Sequence, residues 1–347
     1  MIFKAIIFLI ILTAVGCGSG SEYIKYQGAY KVAEPTSGIY HSIFPNIDFK
    51  NETEQKYYIN EYIDIAGAKP VIIHFSNHWF DGIEFPEDEA KLVAQMGFVP
   101  CIRMLPWSAF NIGKKDPVYS LKKIIDGNFD EDLTEYANDV KKSNIVMIIE
   151  FAVEMNGNWF PWSGVFNGKE KGPEVYKKAY RHIIDLFKKQ GVKNVTWAFH
   201  INYNSTPSDE WNKPINYYPG DEYIDWIGFS VYGAQKPTDH WYDWYSLINP
   251  VYKDICEISA SKPIAIFEFG VTETKNNWEK SGWVRDAFAS IIHGNFPRVK
   301  MISWWHSDFQ NSDGSMTYMR IDSSPEALNE YQYGIRNEIF KAPINLK

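Results

Sequence analysis

Eight short runs of apolar, β-forming residues recur along the chain, and segments with helical periodicity separate them. The segment 173–190 is typical of these spacers, because Pro173 opens a helical repeat of apolar residues that Gly191 closes. Strands that are apolar nearly throughout and alternate with amphipathic helices indicate a parallel sheet covered by helices. Eight such units within residues 35–347 predict a single (β/α)8 barrel. The runs are GIYHSIF (38–44), PVIIHFS (70–76), FVPCIRML (98–105), IVMIIEFAV (145–153), VTWAFHI (195–201), YIDWIGFSVY (223–232), PIAIFEFG (263–270) and VKMISWWH (299–306).

An open, doubly wound sheet is the alternative arrangement for alternating strands and helices. No glycine-rich phosphate loop follows the first run, as a nucleotide-binding sheet of that kind requires. No Pro/Ser-rich linker divides residues 35–347, and no internal repeat is visible there. These features favour one barrel domain.

The first seventeen residues have the pattern of an export signal. One lysine precedes an apolar run that is too short to span a membrane, and Cys17 follows Gly16. The stretch resembles a bacterial lipoprotein signal, in which the cysteine is lipidated and becomes the first residue of the mature chain. We therefore expect residues 1–17 to be a signal, residues 18–34 to be a tether, and the protein to act outside the cytoplasm. A plain cleaved signal and a freely secreted protein remain the alternative.

Charge and composition narrow the class of partner. The formal net charge is -8 with acids and bases interspersed, which argues against nucleic-acid binding. Aromatic residues make up 16% of the chain and include 13 tryptophans, more than a core requires, and flat rings suit the C–H faces of sugars. We expect an uncharged polysaccharide partner, a monomeric protein, and membrane contact only through a lipid anchor.

The cysteine and histidine patterns do not predict a metal or another cofactor. Cys101 and Cys256 lie in apolar runs, so we expect free thiols, although an exported protein could pair them. His74 and His78 are four residues apart on a strand and its loop, where their rings do not converge on one ion.

Polar and aromatic residues are concentrated where the eight runs end. In barrel enzymes the active site lies at the C-terminal ends of the strands, so these residues are the candidates for function. They are Asn77, His78, Trp79, Arg103, Trp107, Glu154, His200, Asn202, Tyr232, Glu268, Trp304, Trp305 and His306.

Two of these residues, Glu154 and Glu268, suit glycosidic bond cleavage. That reaction needs one carboxylic acid to protonate the leaving oxygen and a second carboxylate to attack the anomeric carbon. Strands four and seven lie on opposed parts of a barrel wall, so the two side chains can face each other across the mouth. Glu150 and Glu273 are competing carboxylates, the first deeper in the barrel and the second beyond the strand.

The sequence resembles glycoside hydrolase family 26, whose best-known members are β-mannanases. The resemblance extends over most of the body, and four stretches carry it: VEMNGNWFPW (153–162), DWIGFSVY (225–232), FEFG (267–270) and SWW (303–305). It implies a retaining mechanism on a (β/α)8 barrel, with Glu154 as the acid/base and Glu268 as the nucleophile.

The same resemblance implies roles for several aromatic residues. Tyr232 matches the tyrosine that hydrogen-bonds the nucleophile, and Trp305 or Trp304 matches the tryptophan beneath the sugar beside the cut. Trp159 and Trp162 fall in the aromatic part of the acid/base motif. From their positions at strand ends, we also expect Trp107, His78 and Asn202 to contact substrate, leave His306 open, and expect Trp197 and Trp226 to be core residues.

Two residues depart from the family pattern. The family has His directly before the acid/base glutamate and Arg four positions before it, where this chain has Val153 and Glu150. An acid in place of a base reverses a charge beneath the site. We expect Arg103, on the neighbouring strand, to pair with Glu150 and balance it.

The sequence leads to an exported, retaining hydrolase that cuts inside a β-linked polysaccharide, with β-1,4-mannan or a mannose-containing heteropolymer as the first substrate class. Mixed-linkage β-glucan, β-1,3-xylan and a self-made exopolysaccharide are the alternatives. A barrel that binds polysaccharide without cutting it, or a purely structural surface lipoprotein, belongs to a different functional class. Retention of both glutamates favours the enzyme.

Overall fold

The computed structural model describes residues 30–236, 238–274, 277–311 and 313–347. The expected signal at 1–17, with Cys17, and the expected tether up to residue 29 lie outside the described residues. No helix within those ranges combines the length and apolar character that crossing a membrane requires.

Eight parallel strands form a closed barrel in sequential order, β1 to β8, which confirms the predicted (β/α)8 fold. Each predicted run overlaps one strand, and β2 and β5 extend beyond their runs by two residues and one residue. The strands are β1 (Tyr40–Phe44), β2 (Ile72–His78), β3 (Val99–Leu105), β4 (Met147–Phe151), β5 (Val195–Asn202), β6 (Trp226–Tyr232), β7 (Ile264–Gly270) and β8 (Val299–Trp305). A short antiparallel hairpin, β9 (Asp308–Gln310) with β10 (Met316–Tyr318), follows β8.

Helices surround the barrel, and local sequence fixes several of their ends. Asn51 and Glu54 form a capping box at the start of α1, and Gly67 ends that helix in the left-handed region that glycine tolerates. The helices are α1 (Glu52–Ala66), α2 (Glu87–Gln95), α3 (Leu121–Ile125), α4 (Asp130–Ser143), α5 (Gly172–Lys189), α6 (Trp244–Ile258), α7 (Asn277–Ile292) and α8 (Pro325–Ile335).

The protein has an inner and an outer apolar layer. The inner layer fills the barrel with inward-facing side chains, among them Cys101, Trp226 and Phe267. The outer layer lies between the strands and the helices and includes Trp197, which packs on Phe187 of α5. Both Trp197 and Trp226 are buried, as the sequence predicts.

The two ends of the described chain meet beneath the barrel. Val32 pairs with Leu346 as an isolated antiparallel bridge, and its N–H donates to the Thr196 hydroxyl at the start of β5. The Trp226 indole donates to the Val32 carbonyl at 2.9 Å. Residues 30–34, which the sequence assigns to the tether, therefore include part of the floor of the barrel.

A β-bulge in β7 sets the direction of Glu268. Phe229 is paired with Ile266 but Ser230 is paired with Glu268, so Phe267 is the extra residue. Phe267 belongs to the inner layer, and its successor Glu268 also faces inward, which regular alternation would forbid. The bulge thus places a large apolar ring and a carboxylate on the same side of the strand.

Candidate active site

A cavity of about 520 Å³ opens at the C-terminal ends of the strands, and both predicted glutamates lie in its wall. Glu154 is 7% exposed and Glu268 is 4% exposed, so each carboxylate is largely removed from water. The lining comprises Arg103, Glu154, Trp159, Phe160, Asn202, Tyr203, Asn204, Thr206, Tyr232, Gln235, Glu268, Trp305, Phe309 and Met319.

Glu154 lies three residues beyond β4, in a backbone conformation that side chains seldom adopt. Its φ is +56°, and its N–H donates to the carbonyl of His200 on the neighbouring β5 at 2.9 Å. The indole N–H of Trp159 donates to Glu154 Oε2 at 2.9 Å. The strained turn and this indole hold the carboxyl group against the cavity.

Glu268 lies near the end of β7 between a phenol and a guanidinium. The Tyr232 hydroxyl donates to Glu268 Oε2 at 2.7 Å, and Arg103 Nε lies 3.1 Å from Oε1. Burial raises the pKa of Tyr232 well above its usual value, and the neighbouring Glu268 charge adds to this rise, so the phenol keeps its proton. Glu268 therefore accepts a hydrogen bond from a phenol and lies beside a fixed cation.

The surroundings of Glu154 raise its pKa. Burial raises its pKa, and the nearby negative charge of Glu268 raises it further. His200, a hydrogen bond from Ser230 and the charge of Arg103 oppose the rise without cancelling it. The cavity thus places a carboxyl group with a raised pKa near a carboxylate that contacts a phenol and a guanidinium.

Beneath the cavity, Glu150 forms a buried network, and the expected pair with Arg103 is wrong. Glu150 Oε2 is hydrogen-bonded to His200 Nδ1, and Glu150 Oε1 accepts from the Cys101 thiol at 2.9 Å. His200 Nε2 lies 2.6 Å from the Ser230 hydroxyl, which in turn bonds to Glu154. Arg103 is committed to Glu268, so the charge of Glu150 is balanced by an imidazole instead.

This network lowers the pKa of Glu150 to about 2. Burial alone would raise it, but the charge of His200 and the hydrogen bond to its ring outweigh burial. The same contact raises the pKa of His200 above 6.5 despite burial. Glu150 and His200 therefore form an ion pair in the barrel interior.

Three possible metal-ligand atoms, from His74, Cys101 and Glu150, lie within 4.8 Å of one another among the described residues. Glu150 already accepts from Cys101 and pairs with His200. Burial raises the pKa of the Cys101 thiol well above its ordinary value, with the Glu150 charge adding to the rise, so the thiolate that a metal prefers is disfavoured. We assign no metal to these three residues.

The two predicted free thiols are observed: Cys101 and Cys256 are both unpaired. The setting of Cys101 differs from the expected one, because its sulfur donates to a carboxylate rather than packing among apolar groups alone.

Four of the residues expected to contact substrate line the cavity: Trp159, Asn202, Tyr232 and Trp305. Trp305 stacks on Phe44 with ring centroids 4.1 Å apart, and its ring also lies beside the Arg103 guanidinium. A flat, supported indole in this position can carry one face of a sugar ring.

Four other expected contact residues lie outside the cavity wall, and these expectations need correction. Trp304 alternates with Trp305 along β8, so it faces the outer layer, where its indole donates to the Met319 carbonyl. Trp162 is buried with its indole on the Val153 carbonyl, and Trp107 is buried with its indole on His78 Nδ1. His78 itself lies in an aromatic cluster beside the cavity, and His306, left open by the sequence, is buried and accepts from the Ile321 N–H.

The sequence does not identify the loop residues of the cavity. Phe160, Tyr203, Asn204, Thr206 and Gln235 follow the barrel strands in irregular segments, where no periodicity predicts the direction of a side chain, and Phe309 lies in the three-residue strand β9, which is too short to show one. For the loop after β4 the sequence does contain a signal, because the pair Asn156–Gly157 marks a tight turn. The Asn156 amide donates to the Asn202 carbonyl and accepts from the Asn202 N–H, which joins the β4 and β5 loops.

Comparison with protein families gives one match, to the model described as glycosyl hydrolase family 26, over residues 111–284. Endoglucanase H of Acetivibrio thermocellus is 28% identical over 280 residues, which are 80% of this chain and 29% of the relative. A mannan endo-1,4-beta-mannosidase of Bacillus subtilis is 25% identical over 191 residues, 53% of this chain and 43% of the relative. The chain spans less than half the length of each of these relatives.

Solved structures share the fold at low sequence identity. The Cellulomonas fimi endo-beta-1,4-mannanase double mutant has a TM-score of 0.63 at 16% identity, with 90% of this chain and 77% of that chain covered. Bacillus subtilis mannanase man26 has a TM-score of 0.56 at 17% identity, with 78% and 81% covered.

Proposed function

The chain belongs to glycosyl hydrolase family 26, and from that premise we propose that it is a retaining hydrolase that cuts inside a neutral β-linked polysaccharide. One observation carries the proposal: two buried carboxyl groups share one cavity, where burial and the charge of Glu268 raise the pKa of Glu154, while Tyr232 and Arg103 contact Glu268. Glycosidases that work through a covalent intermediate need this division between an acid and a nucleophile.

In the first step, Glu268 attacks the anomeric carbon while Glu154 gives its proton to the glycosidic oxygen. The bond to the leaving sugar breaks, and an ester forms between the anomeric carbon and the Glu268 carboxylate. Trp159 keeps the Glu154 carboxyl group oriented through its indole N–H. Trp305 supports the reacting sugar from one face.

In the second step, Glu154 is ionised and takes a proton from water, whose oxygen attacks the anomeric carbon. The ester breaks and Glu268 leaves as a carboxylate, so two inversions give net retention. Tyr232 and Arg103 stabilise the charge that returns to Glu268.

For the substrate we favour a β-glucan chain. Endoglucanase H matches 80% of this chain, whereas the mannan endo-1,4-beta-mannosidases match 53% to 55%. The three mannosidase relatives make β-1,4-mannan the second candidate. Val153, which stands where the family has His, is buried and supplies no side-chain hydrogen bond to a sugar.

The test is product release from barley mixed-linkage β-glucan, carboxymethylcellulose, galactomannan and glucomannan. We expect new reducing ends from a β-glucan, and the anomer formed first should be β by proton NMR. Glu268→Gln and Glu154→Gln should remain folded and lose activity, the latter by about 10²–10⁴-fold on a poor leaving group. A folded wild-type protein that binds a polymer but releases nothing would support the non-catalytic barrel instead.

We also propose export and lipid anchoring through Cys17, which only the leader sequence supports. Radiolabelled palmitate should enter the wild-type protein in a bacterial host and should not enter Cys17→Ala. A wild-type protein that is exported but unlabelled would leave the secreted alternative.

A further inference from the structure

Beside the cavity, on the β1 to β3 side of the mouth, three aromatic residues form a surface that the catalytic scheme does not use. Phe49 lies in the β1–α1 loop, Phe80 follows β2, and Phe110 lies in the loop after β3. Phe49 is 72% exposed and Phe110 is 60% exposed. We call Phe49, Phe80 and Phe110 the outer aromatic platform.

Two rings of the outer aromatic platform lie side by side. The Phe49 and Phe80 planes differ by 8°, and their centroids are 5.9 Å apart. Each is stacked on His78, at 5.0 Å and 4.8 Å respectively. Both rings are nearly parallel to one imidazole, so the three rings form one stacked cluster, and Phe110 meets Phe49 and Phe80 at about a right angle.

The exposed position of Phe49 requires a strained backbone conformation. Its φ is +59°, in the left-handed region that a bulky residue rarely occupies. Asp48, the preceding residue, accepts from the Ser76 N–H of β2 at 2.8 Å and so anchors the turn. A strained backbone that leaves a large apolar ring 72% exposed points to a ligand for that ring.

The loop that contains Phe110 is also held in place by hydrogen bonds. Asp116 accepts from the backbone N–H groups of Ser108, Val118 and Tyr119 and from the Asn111 amide. The Gly113 N–H donates to the Trp159 carbonyl at 2.7 Å, which joins this loop to the residue that orients Glu154. Phe110 is therefore a fixed part of the mouth.

The outer aromatic platform is joined to the cavity wall by packed aromatic rings. Trp107 contacts Phe110 at 5.3 Å and Phe160 at 5.4 Å between ring centroids, and Phe160 lines the cavity. Next to His78, a groove of about 440 Å³ carries Asn77 and the carboxylates of Asp81 and Glu84. Flat rings beside hydrogen-bond acceptors suit an uncharged, polyhydroxylated ligand, and the acidic groups would repel an anionic one.

From these observations we propose that the outer aromatic platform binds sugar units of the polysaccharide chain that lie outside the catalytic cavity. The inference rests on the proposed function, because it takes the same neutral β-linked chain as ligand. Phe49 and Phe80 would carry one face of a sugar ring, and Phe110 would flank it. The platform would raise affinity for long chains by adding contacts remote from the bond that is cut.

The experiment compares polysaccharide binding by two folded proteins in a Glu268→Gln background, which prevents hydrolysis. The test variant is Phe49→Ala with Phe110→Ala, and the matched control is Tyr333→Ala, which removes an 83% exposed aromatic ring on α8. Retardation is measured in native gels that contain graded concentrations of barley mixed-linkage β-glucan or galactomannan.

We expect the control to be retarded by one of the two polymers and the test variant to need about tenfold more of it for the same retardation. Equal retardation of test variant and control would refute binding of the chain by the outer aromatic platform, and the proposed function would still stand. A control that neither polymer retards would overturn both, since a polysaccharide hydrolase with an extended binding surface must hold its chain.

Discussion

Arg103 on β3 and Glu268 on β7 form an ion pair across the mouth of the barrel, with 3.1 Å between Nε and Oε1. The contact is electrostatic rather than a directed hydrogen bond, because neither atom has a well-aligned partner among the described residues. Strands three and seven are opposite each other, so this pair links two halves of the wall through the site itself.

Removal of Arg103 should therefore destabilise the fold as well as the site. Arg103→Met leaves a buried carboxylate without its counter-charge, and we expect a loss of about 3 kcal/mol in the free energy of unfolding at neutral pH. In a Glu268→Gln background the same substitution should cost much less, because the charge it balanced is already gone. Urea unfolding of the four proteins measures the coupling, and equal costs in both backgrounds would refute the ion pair.

Ser230 should tune the pH range of activity. Its hydrogen bond to Glu154 lowers the pKa of that carboxyl group against the larger effect of burial. Without the hydroxyl the pKa of Glu154 rises further, and since Glu154 must be protonated to start the reaction, the basic limb of kcat/KM should move to higher pH in Ser230→Ala. Ser42→Ala removes another buried strand hydroxyl, which among the described residues bonds only to the Ile72 carbonyl, and should leave the limb in place. An unmoved limb in both variants would exclude Ser230 from the acid/base environment.

The Glu150–His200 pair should stabilise the fold most in mildly acidic solution. The pKa of Glu150 is lowered from 4.5 to about 2, so its contribution is present above 4.5 and is lost as the pH falls through the lowered value. The pKa of His200 is raised above 6.5, so its contribution is complete below 6.5 and is lost as the pH rises through the raised value. Glu150→Gln should therefore be most destabilising between about pH 5 and pH 6.5.

Urea unfolding of wild type and Glu150→Gln from pH 3 to pH 9 checks this window. His74, Cys101 and Arg103 also face the pair, and Cys101→Ser keeps a donor to Glu150 while removing the thiol, which makes it a suitable control. A penalty that is constant across the whole range would contradict an ionised pair.

Gly228 should tolerate no larger residue, because a Cβ there would lie 2.4 Å from the Phe267 ring and from the Ala265 carbonyl oxygen. Gly228→Ala should cost about 1–3 kcal/mol by overpacking and should disturb the bulge that directs Glu268. Gly282→Ala is the matched control, since the Arg285 side chain, at 3.7 Å, is the one neighbour that the described residues place against a Cβ on that α7 glycine. Thermal unfolding of both variants, with activity on the polymer, would test the assignment; a Gly228→Ala protein as stable as the control would contradict it.

The strands and the two glutamates were predictable because each rests on a strong local pattern. Apolar runs separated by helical segments predict the barrel, and a carboxylate at a strand end predicts a side chain at the mouth. Trp304 and Trp305 show the limit: adjacent strand residues face opposite sides, and the sequence alone does not say which one faces inward.

The bulge in β7 and the partners of Glu150 could not be read from the sequence. Phe267 and Glu268 break strand alternation, and nothing in FEFG distinguishes a bulged strand from a regular one. Glu150 and Arg103 are directly paired in register between β4 and β3, which makes their ion pair plausible in sequence terms. Arg103 instead reaches toward the mouth, where it pairs with Glu268.

The bridge between Val32 and Leu346 determines the end of the barrel at which an attachment of the protein to a surface would start. Both residues lie on the floor of the barrel, at the opposite end from the cavity and the outer aromatic platform. Any segment that precedes residue 30 leaves from that floor. An attachment through such a segment would start at the end of the barrel opposite the mouth, which leaves the mouth free for an insoluble polymer.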